Sequence, residues 1–374
     1  MKDTVIKGDG TSRTLKAPAS MPETFEEWRS QLLAGNATMD IGLNSDGCTV
    51  VGTAMSKANL LSDTTKAALE LSQSDPTVND ALYALSQKTQ PAVLNVTTNA
   101  GVVITATKGS KVLSATADSS GLAVLYPDEF GTWTLKATIN GKTLEVPFVI
   151  DAIAVFNTSL TTDLEAASWG LISAVAEAGN AASVWSVGAK KTIKLNGVSY
   201  TAQIIGFNHD TKTAGGKAGI TFQLVDCLNT TYQMNSSNTN VGGWKSSAMR
   251  SLMSEFLGQL DEDLQSVIKP VNKLVSIGNN TSTIETVSDK LFLLSEVEIF
   301  GSTTYSFAGE GSQYAWYKAG NTKVKKVNGS ASSWWERSPY SGNTYNFCRV
   351  GSSGGAGNYH GASTSYGVSF GFCV

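Results

Sequence analysis

Ser333-Trp334-Trp335-Glu336-Arg337-Ser338-Pro339 is the stretch from which the rest of the chain can be read. Adjacent tryptophans carry a large apolar surface, so they belong in a core. The arginine, flanked by Trp334, Trp335 and Pro339, is expected to stack and to donate to backbone carbonyls or to a carboxylate such as Glu296. The role expected is structural, supporting the C-terminal tail, with ligand binding by Arg337 as the alternative. From Tyr340 to Val374 this tail is small, polar and aromatic by turns, with Arg349 as its only charged residue. Phe347-Cys348 and Phe372-Cys373 read as apolar strand ends, and the glycines at 351, 354, 355, 357, 361 and 367 predict loops between them. Tyr345, Tyr359 and Tyr366 stand among Asn343, Asn346, Asn358, Ser353, Ser363 and Ser365. Tyrosine supplies contact area at low entropic cost, while Ser, Gly and Asn supply adaptable hydrogen bonds, as in antibody paratopes. A rigid base carrying a binding surface is one reading; a plain solvated glycine-rich loop is the other.

The chain of 374 residues is long enough for two or three domains. Its charged residues are sparse and its net charge is -3, which leaves no basic face for nucleic acid or an anionic membrane. Four scattered cysteines, Cys48, Cys227, Cys348 and Cys373, are too few for a disulfide scaffold or a zinc site, and no cofactor or metal is expected. Cys348 and Cys373 pair if their strands are neighbours, or stand as two buried thiols. No apolar run has the length of a signal peptide near the N-terminus or of a spanning helix anywhere. Synthesis in the cytoplasm is expected, with lysis as one route of release.

Residues 1 to about 24 are polar, with Gly8-Asp9-Gly10, Pro18 and Pro22, and predict an extended arm. Thr24 and Glu27 form a capping-box pattern for a short helix to about Leu33. Ser62–Leu71 and Pro76–Leu85 predict two more, too short to be stable alone. From Gln90 the pattern alternates, with strand-like runs at 93–96, 102–106, 112–116, 122–125, 132–139 and 143–150 and a hairpin signal at Asn140-Gly141. These predict a small antiparallel sandwich with Trp133 as its core anchor. After residues 151–161 come a helix over 164–178, a hairpin around Asn196-Gly197 and a strand over 220–225. An apolar helical stripe runs from Trp244 to Leu260, then a helix from Asp261 ended by Pro270 and a buried strand over 290–295. Helices early, short strands late and long loops predict an α+β domain.

Three resemblances join these readings. Lys57-Ala58-Asn59-Leu60-Leu61-Ser62-Asp63, leading to the helix Asp75–Leu82, resembles a segment common in bacteriophage tail proteins. It implies attachment to other tail proteins or oligomerisation, and a homotrimer held mainly through residues 1–90 is expected. The alternating region looks like the immunoglobulin-like modules of phage tail and adhesive proteins. Gly242–Arg250, Leu291–Ser295 with Glu296, the W-W-x-R-S-P phrase and the closing Gly367–Cys373 together resemble an uncharacterised domain of phage and prophage tail proteins. That domain in turn looks like the C-type-lectin fold of the variable proteins of diversity-generating retroelements. Glu336 departs from the pattern where an apolar residue is often found, as does Ser369-Phe370 where a Pro-Ala pair is expected.

The expected fold is therefore multidomain: an N-terminal arm with short helices (1–89), an immunoglobulin-like β-sandwich (90–152) and a C-terminal α+β C-type-lectin-like domain (153–374). The resemblance implies a receptor-binding, host-recognition protein of a phage tail or tail-like particle rather than an enzyme. Its partner would be a glycan or protein on the host cell surface. The ligand-binding residues expected are Asn343, Tyr345, Asn346, Arg349, Ser353, Asn358, Tyr359, His360, Ser363, Ser365 and Tyr366. Adenine randomisation by a retroelement cannot produce Lys, Glu, Gln, Trp or Met from an AAC or AAT codon, and all five are absent from 341–374. A cell-surface adhesin of fixed specificity is the alternative.

Catalytic readings have less behind them. Asn208-His209-Asp210 could polarise an imidazole but lacks a matching nucleophile. Gly351–Gly357 lacks the Lys-Ser/Thr ending of a phosphate loop. Enzymes that make formylglycine in sulfatases share the lectin-like fold and use cysteines, but the Phe context of Cys348 and Cys373 suits packing better.

Overall fold

A computed structural model describes residues 4–6, 12–14, 92–152, 154–357 and 360–374. The chain divides into two compact units, Met1–Pro91 and Ala92–Val374. In the first, β1 (Thr4–Ile6) and β2 (Ser12–Thr14) pair antiparallel with Val5 opposite Arg13, within the stretch where the sequence predicts an extended arm. The three helices expected between residues 24 and 85 lie outside the described residues.

The second unit opens with seven strands. They are β3 (Val93–Thr97), β4 (Val103–Lys108), β5 (Lys111–Thr116), β6 (Leu122–Leu125), β7 (Gly131–Ile139), β8 (Lys142–Ile150) and β9 (Val155–Ser159). Sheet orders are β6-β3-β9 and β5-β4-β7-β8. Alternation buries one face of the longer strands: Trp133, Leu135, Ala137 and Ile139 on β7 point inward while Lys136 and Thr138 face water. Asn140 and Gly141 turn β7 into β8 with φ of 51° and 74°, the left-handed pair that a two-residue hairpin needs. One element was not foreseen. β9 returns to pair in parallel with β3, so the sheet extends past the boundary expected at residue 152.

The rest of the unit is built on a five-stranded sheet ordered β10-β11-β13-β24-β17. Its members are β10 (Lys190–Leu195), β11 (Val198–Phe207), β13 (Ile220–Leu224), β17 (Leu291–Phe292) and β24 (Gly371–Cys373), with the pair β12 (Thr211–Lys212) and β15 (Val271–Ser276) beside it. The chain's last strand thus sits inside the sheet between β13 and β17. Helix α1 (Trp169–Glu177) is capped by Ser168, whose hydroxyl accepts from Leu171 N, and starts later than the predicted 164. Its Trp169 meets Phe222 and Phe372 edge-on at 5.5 and 5.9 Å, fixing the helix to the sheet. A four-residue α2 (Ala181–Val184) comes next, and Lys142 of β8 donates to Val184 O at 2.6 Å across to the first sheets.

The predicted stripe from Trp244 becomes a 3-10 turn (Trp244–Ser246) and α3 (Ala248–Leu257), burying Trp244, Met249, Met253 and Phe256. Then come α4 (Glu262–Val267), β16 (Ile284–Asp289), α5 (Glu296–Phe300) and α6 (Ala315–Lys318). The strand predicted over 290–295 is only two residues long, because Ser295 ends it by capping α5 in a full capping box with Glu298. Short strands complete the molecule: β14 (Tyr232–Gln233), β18 (Lys325–Val327), β19 (Ser330–Ser332), β20 (Trp334–Pro339), β21 (Phe347–Val350), β22 (Ala356–Gly357) and β23 (Ser365–Tyr366). The described molecule is mainly β-sheet with few helices. Among the described residues no helix is long and apolar enough to cross a membrane.

Candidate ligand-binding surface

All six residues of β20 are buried. Trp334 donates its indole N–H to Lys323 O at 2.9 Å, and Trp335 donates to Tyr232 O at 2.8 Å, so each ring is seated with its one donor satisfied. Arg337, fully buried, donates to Leu293 O (2.9 Å), Leu274 O (3.2 Å) and Glu310 O (2.7 Å) and forks onto the carboxylate of Glu298. The sequence pointed to Glu296 as the partner. Both are buried, but Glu298 closes the capping box beside Arg337, whereas the Glu296 carboxylate accepts the backbone amides of Thr304, Tyr305 and Ser306.

Glu298 also meets Lys273 Nζ at 2.7 Å, and Lys273 meets Asp210 at 2.7 Å. Two cations and two anions thus alternate in the core. Burial opposes ionisation of Glu298 and Asp210, but Arg337 and Lys273 outweigh it and hold both carboxyls below their ordinary values. At Glu336 the pull of Arg349 and Arg337 is too weak to do the same. Both its oxygens are buried without a hydrogen-bond partner, and burial, then Glu296 and Glu310, push its carboxyl well above the usual range.

On this base lies a stack of rings. Tyr366 meets Trp335 edge-on at 5.0 Å, His360 meets Tyr366 at 5.2 Å, and the Arg349 guanidinium lies 5.2 Å from the centre of Tyr366. Arg349 donates to Ser333 Oγ at 2.8 Å, while its Nε is buried with no partner. Tyr366, one of the expected ligand-binding residues, is half-buried because it covers Trp335.

The other expected site residues divide. Tyr345 is 50 % exposed, and Ser353 and Ser365 are exposed. Asn346 is buried at 7 %, and its carbonyl takes the amides of Tyr340 and Asn240, so it belongs to the base rather than the display. Asn343 spends its side chain on the turn, accepting from Tyr345 N and Asn346 N. Ser363 donates to Asn238 Oδ1 at 2.6 Å. Asn358 and Tyr359 lie outside the described residues.

The sequence reading missed the segment 232–243. β14 pairs with β23, placing Tyr232 opposite Tyr366 and Gln233 opposite Ser365. Asn238 holds Ser363, and Asn240 holds the 340–346 loop through Asn343 O and Asn346 O. The one signal in the sequence was compositional: 228–243 is as rich in Asn, Ser and Thr as the tail.

Cys348 and Cys373 are free, buried thiols whose pKa burial pushes well above the ordinary value. Cys373 Sγ lies 3.5 Å from Thr221 Oγ and from Asp210 Oδ2. A cavity of about 320 Å³ lies away from the tail, between α3 and β16; of the three cations that line it, Arg250 pairs with Asp289 and Lys245 with Glu285, and Lys290 is the third.

Residues 218–374 match the family model described as "Domain of unknown function (DUF6273)". No curated protein matches the sequence.

Proposed function

We propose that this chain is the receptor-binding protein of a phage tail or tail-like particle. In this reading residues 92–159 are an immunoglobulin-like spacer, and residues 160–374 are a C-type-lectin-like domain that presents the tail loops to a host cell surface. One observation carries it. Trp334, Trp335 and Arg337 are fully buried at the root of loops that leave Tyr345 half in water. Loop-borne recognition on a rigid scaffold is the usual placement of binding residues. The match of residues 218–374 to a domain of unknown function neither adds to this reading nor opposes it. The test is capture of bacterial cells by the full-length chain across a panel of strains; strain-selective capture is expected, and capture of none contradicts the proposal.

A retroelement-diversified tail is the sharper form of this proposal, supported by the absence of Lys, Glu, Gln, Trp and Met from 341–374. Asn346, buried, and Arg349, half-buried, sit less well as varied positions than Tyr345 or Ser365. Sequencing the flanking DNA decides it: a near-identical template repeat mismatched at adenines, beside a reverse-transcriptase gene, is expected. Without that repeat the chain is better read as an adhesin of fixed specificity. The formylglycine-type enzyme reading is disfavoured by the raised pKa of both buried thiols, because the thiolate is the reactive form.

A further inference from the structure

The tail does not form its surface alone. Asn240, fully buried, donates through Nδ2 to Asn343 O (2.9 Å) and Asn346 O (2.8 Å), accepts at Oδ1 from Asn279 N (3.0 Å), and donates its own N–H to Thr344 O (2.8 Å). Gly278, at φ +67°, lets the neighbouring loop pass so close that a Cβ there would sit 1.8 Å from Asn240 O. On the other side Ser341 donates through both N and Oγ to Tyr305 O at 2.8 Å. One buried asparagine therefore gathers the loops 234–243, 277–284 and 340–346, and Ser341 adds 301–309.

These loops share a chemistry. Residues 228–243, 277–284, 301–309, 340–346 and 361–366 contain no Asp, Glu, Lys, Arg or His, in a chain that is 16 % charged. They are chiefly Asn, Ser, Thr, Gly and Tyr. Such a face has no carboxylate to hold a divalent cation that could bridge to a sugar. The one cation of the tail beside these loops, Arg349, is half-buried, donates to Ser333 Oγ and lies over the Tyr366 ring, so it is engaged within the fold rather than offered to an ionic partner. Protein partners usually dock on a cluster of aromatic and arginine anchors in desolvated pockets. Here the large apolar side chains standing well out of the face are Val241 and Tyr345, at 53 % and 50 % exposure. Side-chain amides and hydroxyls both donate and accept, as a polyhydroxylated ligand requires.

We infer that this face, built of uncharged loops gathered on Asn240, binds a neutral polysaccharide without a metal ion and with little dependence on ionic strength. The inference rests on the receptor-binding reading and specifies its ligand class. It also extends the surface to loops outside the tail.

The test applies the full-length chain to immobilised glycans, neutral hexose and N-acetylhexosamine chains beside sialylated, sulfated and phosphorylated ones. In parallel it applies the chain to captured cells after periodate or protease treatment. Binding to neutral chains is expected, unchanged by EDTA and constant within about twofold between about 0.05 and about 0.5 M salt, a range that collapses interactions between exposed charges. Val241→Lys and Thr304→Lys, both at exposed positions outside the tail, should each weaken that binding about tenfold, or about 1.4 kcal/mol, with unchanged melting. Binding only to charged glycans, to none of the neutral ones, or only with a divalent cation overturns the inference. Cell capture that protease abolishes and periodate spares overturns it while leaving the receptor-binding reading intact. Capture of neither cells nor glycans takes both down.

Discussion

Glu336 is the residue where this chain departs most from what its surroundings favour. Its neighbours in the tryptophan-arginine phrase satisfy their donors, whereas its two oxygens are buried with no partner. Its raised pKa means that the native state holds a proton there that the unfolded chain, with an ordinary carboxyl near 4.3, gives up. Between those two values the native state binds more protons, so this residue makes stability fall as pH rises. Asp210 and Glu298 have lowered pKa values and act the other way, losing their contribution as pH drops below the ordinary carboxylate range. Glu336→Leu should therefore be more stable than the parent by about 1–3 kcal/mol at pH 7.5, the cost of an unsatisfied buried polar group. Urea denaturation should show the gap narrowing towards pH 4, and a less stable variant at pH 7.5 would contradict the account. The burial of Trp334, Trp335 and Arg337 was legible in the sequence, because a Trp pair beside Arg has few other places to go. The choice of Glu298 over Glu296 was not, since both stand in the same helical turn and only the direction of the capped helix separates them.

At the level of elements, local signals were readable and non-local ones were not. Asn140-Gly141 and Asn196-Gly197 demand left-handed backbone, and both close the hairpins that their flanking alternation predicts. The parallel return of β9 onto β3 leaves no local mark, because a parallel pair joins strands distant in sequence. The same limit hid the loops beside the tail. Asn240 looks like any loop asparagine until the fold brings the 340–346 and 277–284 segments to its two ends. Asn240→Ala should cost about 1–3 kcal/mol, because it leaves the Asn343 and Asn346 carbonyls and the Asn279 amide without that partner. Hydrogen exchange should show faster exchange at Asn279 and through 340–346 as well as at the mutated loop itself. Faster exchange confined to 236–243 would mean that these loops are held independently.

For the whole molecule, the chain divides into the units Met1–Pro91 and Ala92–Val374, and the sequence pattern changes from helical to alternating near residue 90. The proposed homotrimer belongs to this scale. Light scattering of the full-length chain should return three times the mass of 39.3 kDa, and a monomer would contradict it. The central claim is that a fixed, buried base and a binding surface are separate parts of one domain, and two substitutions in the full-length chain test it together. Trp335→Ala should lose about 3–5 kcal/mol, as truncation of a buried aromatic does. Tyr345→Ala should change stability by no more than about 0.5 kcal/mol, as at an exposed position. The decisive measurement is cell capture by Tyr345→Ala on a strain that the parent binds. Capture weakened at least tenfold, or by about 1.4 kcal/mol, with melting unchanged is the predicted result. Parental capture by this variant, or capture lost only together with its melting transition, would contradict the account.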